Sequence, residues 1–187
     1  MSASLYVALL HYPVYKKSGE VITTSITPLD LHDIARSCLT YGVKRYYVVN
    51  PLPTMQYLAR RIKDFWDSET GKQYNQTRTD ALSIMKIVDH LEDGLREIEQ
   101  AESFRPVLVA TTARRQEGAV SFSALSQQMA QDHRPYLLLL GTGYGLIREF
   151  IRRCDVVLEP IAGAGSYNHL SVRSAAAIML DRLCNPR

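Results

Sequence analysis

The fold turns on PYLLLLGTGYGLI, residues 135–147. Its first half is an apolar run with no charged or amide side chain. Half-exposed strands alternate between polar and apolar residues. An uninterrupted run belongs to a strand covered on both faces, as in a parallel sheet flanked by helices. Gly141, Gly143 and Gly145 end the run. Glycine takes positive φ and lets a ligand come close to the backbone. A buried strand delivering a glycine loop is the building unit of an open parallel sheet, where ligands bind beyond the carboxyl ends of the strands.

Four similar runs accompany it: LYVALL (5–10), RYYVVN (45–50), PVLVATT (106–112) and CDVVLEP (154–160). The intervening segments carry helical patterns. Thr27-Pro28-Leu29-Asp30 is a helix start, with Thr27 as N-cap, Pro28 in the first turn and Asp30 completing a capping box. Leu31, Ile34, Ala35 and Cys38 follow on one face, and Gly42 ends the helix. Met55, Leu58, Ile62 and Phe65 share a helical face in the next segment. The polar break SETGKQYNQ (68–76) is expected as a surface loop. Beyond it the spacing predicts one helix over about 79–101 carrying Leu82, Met85, Leu91, Leu95 and Ile98. Shorter helices are expected near 121–131 and 170–184, the last capped by Ser166, Asn168 or Ser171. This strand–helix alternation specifies an α/β fold with a mainly parallel five- to six-stranded sheet flanked by helices. With 187 residues the chain has the length of one domain, 1–187, with a sizeable core.

The charge balance, 22 Lys and Arg against 19 Asp and Glu, permits an anionic partner without requiring one. No apolar run is long enough to span a membrane, and LYVALL lacks the basic lead-in of a signal peptide. Cys38, Cys154 and Cys184 are odd in number, far apart and outside any C-x-x-C. That usage speaks against a disulfide framework or a metal site and for a cytoplasmic location.

The loops after three successive runs are rich in glycine and threonine: Thr111-Thr112-Ala113, Gly141-Thr142-Gly143-Tyr144-Gly145 and Pro160-Ile161-Ala162-Gly163-Ala164-Gly165. Any one of them serves a tight turn; three together point to a shared small-molecule site. GTGYG is not the dinucleotide fingerprint, which needs glycine where Leu146 stands and follows the first strand of its unit. No G-K-S or G-K-T occurs for a phosphate loop. A ligand loop this late in the chain calls for another topology.

LVATTAR, LLGTGYGLI and EPIAGAGSYNHLSVRSAAAI stand where the α/β-knot (SPOUT) methyltransferases carry their three ligand loops. The chain resembles that family over essentially its whole length, particularly the short bacterial branch found alone or attached to tRNA guanine-N1 methyltransferases. Its second loop is one residue shorter than the family's G-[NST]-E-x-x-G-[LI], with Gly143 near the place of the glutamate. In the third, Asn168 is displaced by one from the family's N-V-S-V-A. The resemblance implies a C-terminal deep trefoil knot, S-adenosyl-L-methionine as cofactor, an RNA substrate (tRNA or rRNA), no metal, and a homodimer whose sites are completed across the interface. It implies that Leu140, Gly141, Ile161 and Leu170 hold adenine through backbone and apolar groups. Thr111, Thr112, Thr142, Gly143, Gly145, Gly165, Tyr167, Asn168 and Ser174 complete the implied cofactor pocket.

DLHDIARSCLTYGV, residues 30–43, is similar to the family's N-x-x-x-x-x-R-[ST]-x-x-x-x-G-V, with Asp30 in place of the asparagine. Arg36 is thereby the counterpart of the family's catalytic arginine. Helical geometry puts Arg36 off the Leu31/Ile34/Ala35/Cys38 stripe, on the side of His32; the plain alternative is a solvent-facing arginine paired with Asp33. Arginine stays protonated, so orienting an acceptor or a phosphate suits it better than accepting a proton. His169 is the second candidate catalytic residue, as a substrate contact. Asp30, Asp155 and His169 are the candidate proton acceptors. Arg114-Arg115, Arg148, Arg152-Arg153, Arg173 and Arg60-Arg61-Lys63 are candidate phosphate contacts. The expected activity is S-adenosylmethionine-dependent methylation of RNA, at a ribose 2′-O or a guanine N1. The alternatives are a non-catalytic knotted module that assists a partner enzyme, and a flavodoxin-like nucleotide binder.

Overall fold

A computed structural model describes residues 3–165 and 167–185; Ser166, one of the expected helix caps, lies outside them. The chain opens with β1 (Leu5–Leu10), a hairpin of β2 (Val14–Tyr15) and β3 (Val21–Ile22), α1 (Pro28–Thr40) and β4 (Tyr46–Val49). An insert of α2 (Pro53–Asp67), α3 (Glu69–Tyr74) and α4 (Gln76–Ser83) leads to β5 (Met85–Val88). Then follow α5 (Leu91–Glu102), β6 (Val107–Ala110), α6 (Phe122–Gln131), β7 (Tyr136–Gly141), α7 (Arg148–Ile151), β8 (Val156–Val157) and α8 (Val172–Cys184).

One sheet runs in the order β5-β4-β1-β7-β6-β8, every pairing parallel. The chain first builds away from β1 through β4 to β5. It then returns to lay β7 along the other side of β1. Such a reversal leaves a crevice beyond the carboxyl ends of the two central strands. The period-two geometry of a strand sorts β1 between two cores. Leu5, Val7 and Leu9 pack with α1, α2, α4, α6 and α8, while Tyr6, Ala8 and Leu10 pack with α5 and α7.

Helix α1 starts at Thr27, whose Oγ1 accepts from Asp30 N at 3.2 Å. The reciprocal half of the box differs from expectation: Asp30 Oδ2 accepts the Thr27 hydroxyl at 2.7 Å rather than the Thr27 backbone N–H. The stripe Leu31, Ile34, Ala35 and Cys38 is fully buried, each large member contributing roughly 1.5–3 kcal/mol. Gly42 follows the helix with φ of 70°, a conformation that favours glycine there.

The five apolar runs coincide with β1, β4, β6, β7 and β8, the last only two residues long. The helix expected over 79–101 is corrected: it is α4, then β5, then α5. Leu82 and Met85 are both buried and three residues apart, which mimics a helical stripe. Instead Met85, Ile87 and Val88 are buried while Lys86 faces out to Glu97, 2.5 Å away. His90 N–H then donates to Asp93 Oδ2 at 3.2 Å, starting α5 afresh. The expected loop at 68–76 is corrected as well, since it holds α3, N-capped by Ser68. On α2 the buried face is Gln56, Ala59 and Trp66, with Met55 and Ile62 beside it. Leu58 and Phe65, expected on that face, are 37% and 48% exposed. The helix is turned by the insert packing on Trp66: Thr79 Oγ1 donates to Trp66 O at 2.9 Å, and the Arg78 guanidinium stacks 4.9 Å from the indole.

Candidate functional site

The loops after β1, β6, β7 and β8 meet at the carboxyl edge of the sheet and enclose a cleft of about 1080 Å³. That is the size class of small-molecule and cofactor sites. Three walls line it.

The first wall is the turn after β7. Tyr144 N–H donates to Tyr15 O at 2.9 Å, Tyr15 N–H to Gly145 O at 2.9 Å, and Gly145 N–H to Thr142 O at 3.0 Å. The turn is therefore stitched to the β2–β3 hairpin. Gly143 sits inside it with φ of 59°, and a Cβ there would lie 3.0 Å from Tyr15 O. The second wall follows β6. Thr111 Oγ1 donates to Leu139 O at 2.8 Å and so serves the sheet, while Thr112 Oγ1 accepts from Arg114 N at 3.1 Å.

The third wall runs from Ile161 to the start of α8. Among the described residues, 161–170 form no backbone–backbone hydrogen bond. The segment is pinned by Asn168 Nδ2, which donates to Ala113 O at 2.9 Å. Its backbone donors and acceptors are thus available to a ligand, beside apolar surface from Leu140, Ile161, Leu170 and Met179. Open backbone groups over an apolar lining fit a purine-bearing cofactor, whose ring edges need hydrogen bonds and whose faces need cover. Ser171 accepts from Ser174 N and caps α8, which settles the cap between it and Asn168.

Asp30 is the only carboxylate lining the cleft among the described residues, and it is 7% exposed. It accepts the Thr27 hydroxyl at 2.7 Å and Arg173 Nη1 at 3.1 Å. Arg173 also places Nε 3.5 Å from Asp33 Oδ2, so Asp33 is engaged by α8. Arg114, Arg115 and Arg148 stand on the exposed rim and have no carboxylate partner among the described residues.

Of the candidates from the sequence, Thr111, Thr112, Leu140, Gly141, Thr142, Gly143, Gly145, Ile161, Asn168, His169 and Leu170 line this cleft. Gly165, Tyr167, Ser174 and Arg36 do not. Tyr167 is 77% exposed, packed edge-on against the His169 ring. Ser174 lies in the first turn of α8, hydrogen bonded to its cap. Arg36 is exposed on α1. Asp155 accepts from Leu108 N near the amino ends of the strands, at the opposite edge. Tyr15, Thr24 and Ser25 line the cleft without having been singled out. Their signal was the turn KKSGE between two short β-formers, followed by the threonine-rich ITTSIT.

Behind the cleft His11 is fully buried. Burial lowers its pKa to about 4, against the smaller opposing pull of Asp30. The unfolded chain therefore binds a proton near pH 6.5 that the folded chain refuses until about pH 4. Stability from this group is complete above pH 6.5 and is lost as pH falls toward 4, of order 3 kcal/mol in all. His32, lowered in the same direction by burial and then by Arg78, adds to the slope. Urea unfolding between pH 7 and 4 is expected to show this decline, and His11→Asn is expected to flatten it. An unchanged slope in that variant assigns the proton elsewhere.

A family model described as SAM-dependent RNA methyltransferase matches residues 4–185. A protein of Aquifex aeolicus (strain VF5), named only as uncharacterized, is 39% identical over 183 residues, covering 98% of this chain and 89% of its own. A tRNA (guanine-N(1)-)-methyltransferase of Nitratidesulfovibrio vulgaris is 40% identical over 180 residues, covering 96% of this chain. The chain spans 42% of that relative's length. Among solved structures, a putative methylase family protein from Neisseria gonorrhoeae superposes with a TM-score of 0.66 at 18% identity, over 98% of this chain and 83% of that one.

Proposed function

The chain belongs to the SAM-dependent RNA methyltransferase family, and on that basis we propose that it methylates tRNA at a guanine ring nitrogen, as a cytoplasmic homodimer. The observation that carries this choice is Asp30, the one carboxylate lining the cleft among the described residues. A guanine N1–H must lose its proton to become nucleophilic, and it is a stronger acid than a ribose hydroxyl. A carboxylate suits that proton. The relative named for guanine-N1 methylation of tRNA supports the same substrate class.

In this reading residues 1–187 are one methyltransferase domain, and the third wall with α8 forms the C-terminal trefoil knot. S-adenosyl-L-methionine, when bound, supplies an electrophilic methyl group on a sulfonium. Leu140, Gly141, Ile161 and Leu170 hold the adenine; Thr111, Thr112, Thr142, Gly143, Gly145 and Asn168 shape the rest of the pocket. Gly165, Tyr167 and Ser174 stay outside this assignment. Asp30 accepts the guanine proton, with Arg173 and Thr27 fixing its carboxylate. His169 contacts the substrate at the mouth. Arg114, Arg115 and Arg148 grip phosphate. Arg36, exposed on α1 and outside the lining of its own cleft, orients the acceptor in the partner protomer's cleft. Among the described residues no helix is long and apolar enough to cross a membrane.

S-adenosylhomocysteine at ~100 times its Kd is expected to stabilise the fold by about 2.7 kcal/mol, a rise in Tm of roughly 5–10 °C. Incubation with labelled S-adenosylmethionine and unmodified tRNA, followed by nucleoside mass spectrometry, is expected to yield 1-methylguanosine. A 2′-O-methyl nucleoside moves the chemistry to ribose. No ligand heat and no label in RNA removes the enzyme assignment.

A further inference from the structure

The turn after β7 is held from behind by a buried histidine that belongs to none of the three walls. His11, the first residue after β1, is 0% exposed. Its Nδ1 lies 3.0 Å from Thr24 Oγ1. Thr24 Oγ1 lies 2.5 Å from Thr142 Oγ1, and Thr142 Oγ1 lies 3.2 Å from Leu10 O.

The proton order of this chain follows from counting. A hydroxyl has one proton to give, and a carbonyl oxygen has none. Leu10 O accepts, so Thr142 donates to it. Thr142 then has nothing left to give Thr24, and Thr24 donates to Thr142. Thr24 in turn has nothing left for His11, so His11 Nδ1 carries the hydrogen. The ring is neutral, because burial disfavours its charged form. Nε2 is therefore a bare lone pair, and it is buried with no partner among the described residues. Only one ring tautomer completes the chain.

Thr24 is itself immobilised. Its N–H donates to His11 O at 2.9 Å, and its O accepts from Asn50 Nδ2 at 3.1 Å. Its methyl group would stand 3.4 Å from a Cβ at residue 143. Thr24 thus meets the turn twice, through Thr142 by hydrogen bond and against Gly143 by contact. We infer that His11, as the Nδ1–H tautomer, is a positioning residue: it sets the Thr24 hydroxyl, which sets Thr142 and with it the cofactor turn at 141–145. The inference rests on the proposed cofactor role of the cleft.

Two measurements test it. In nitrogen NMR of histidine-labelled protein at neutral pH, His11 is expected to show a protonated Nδ1 and a pyridine-type Nε2; a protonated Nε2 overturns the ordering. In calorimetry with S-adenosylhomocysteine, His11→Leu is expected to weaken binding about tenfold. His11→Asn places an amide N–H near the lost Nδ1 and is expected to rescue affinity to within about twofold. In a Thr142→Val background, His11→Leu is expected to add no further loss, because the link is already cut. Full additivity, or no rescue by asparagine, overturns the positioning role. If His11→Leu does not fold, Thr24→Val takes its place in the cycle, and full additivity with Thr142→Val again overturns the role. Wild-type protein that gives no heat refutes the cofactor role, while the tautomer result stands apart from it.

Discussion

Gly143→Val is expected to lose S-adenosylhomocysteine binding by about 100-fold or more, which corresponds to ~2.7 kcal/mol. Two penalties act at this residue. Its φ of 59° lies in the left-handed region, which costs an ordinary side chain roughly 1–2 kcal/mol and a β-branched one more. Its Cβ would also sit 3.0 Å from Tyr15 O. That oxygen cannot retreat cheaply, because it accepts Tyr144 N–H at 2.9 Å. The turn must therefore part from the hairpin, and its backbone leaves the cleft floor. Gly145→Ala is the matched comparison. Its φ is 93°, but nothing lies within 4 Å of its Cβ, so strain acts without collision and the loss is expected to be about tenfold. Calorimetry on both variants, with circular dichroism to confirm folding, measures the difference. Equal affinities in wild type and Gly143→Val remove this turn from the site.

Asp30→Asn is expected to lower methyl transfer by about 10²–10⁴-fold while leaving S-adenosylhomocysteine affinity nearly unchanged. That range is the contribution of a positioned proton acceptor. Asparagine keeps the size of the side chain and an oxygen for the Thr27 hydroxyl, but it cannot take a proton. The Arg173 charge loses its closest partner and retains Asp33 at 3.5 Å. The ion pair is partly exposed, 30% at Arg173 and 10% at Asp30, so the stability cost is expected to stay near ~1 kcal/mol. Single-turnover rates together with ligand titration separate the two effects. Transfer that persists undiminished in Asp30→Asn, and falls in His169→Asn, moves the proton to His169.

Strands with strong apolar runs could be read directly from the chain, because burial on both faces leaves a signature that no helix period disguises. β5 could not. It is a four-residue edge strand, and the spacing from Leu82 in α4 to its first residue, Met85, imitates a helix; its exposed Lys86 suits an edge strand and a helix surface equally. The face of α2 depended on partners distant in sequence: Trp66 turns inward because Thr79 and Arg78 come back to it. The glycine and threonine loops were visible individually, and the parallel sheet explains why they converge. His11 and Thr24 were not visible as a pair. Their link depends on a hairpin of two-residue strands folding over the turn, and no periodicity records that. Arg36 was visible as a motif position, but in the fold it is an exposed residue of α1 outside the lining of its own chain's cleft.

The three walls are not equally anchored. Backbone hydrogen bonds to the hairpin and the Thr24 hydroxyl hold the turn at 141–145. The wall at 161–170 is held to its neighbours, among the described residues, by the Asn168 amide on Ala113 O and by Ile161, which is buried in the core. A hydrogen bond of that kind contributes only about 1 kcal/mol. Moving the stretch around Asn168 aside, with Ile161 kept in the core, breaks no strand pairing and leaves the opposite turn in place. In the proposed reading, entry and release of the cofactor are expected to be governed at one side of the cleft, and its aim at the other. Substitutions at Asn168 are then expected to change the residence time of S-adenosylhomocysteine, and those at Thr142 its alignment.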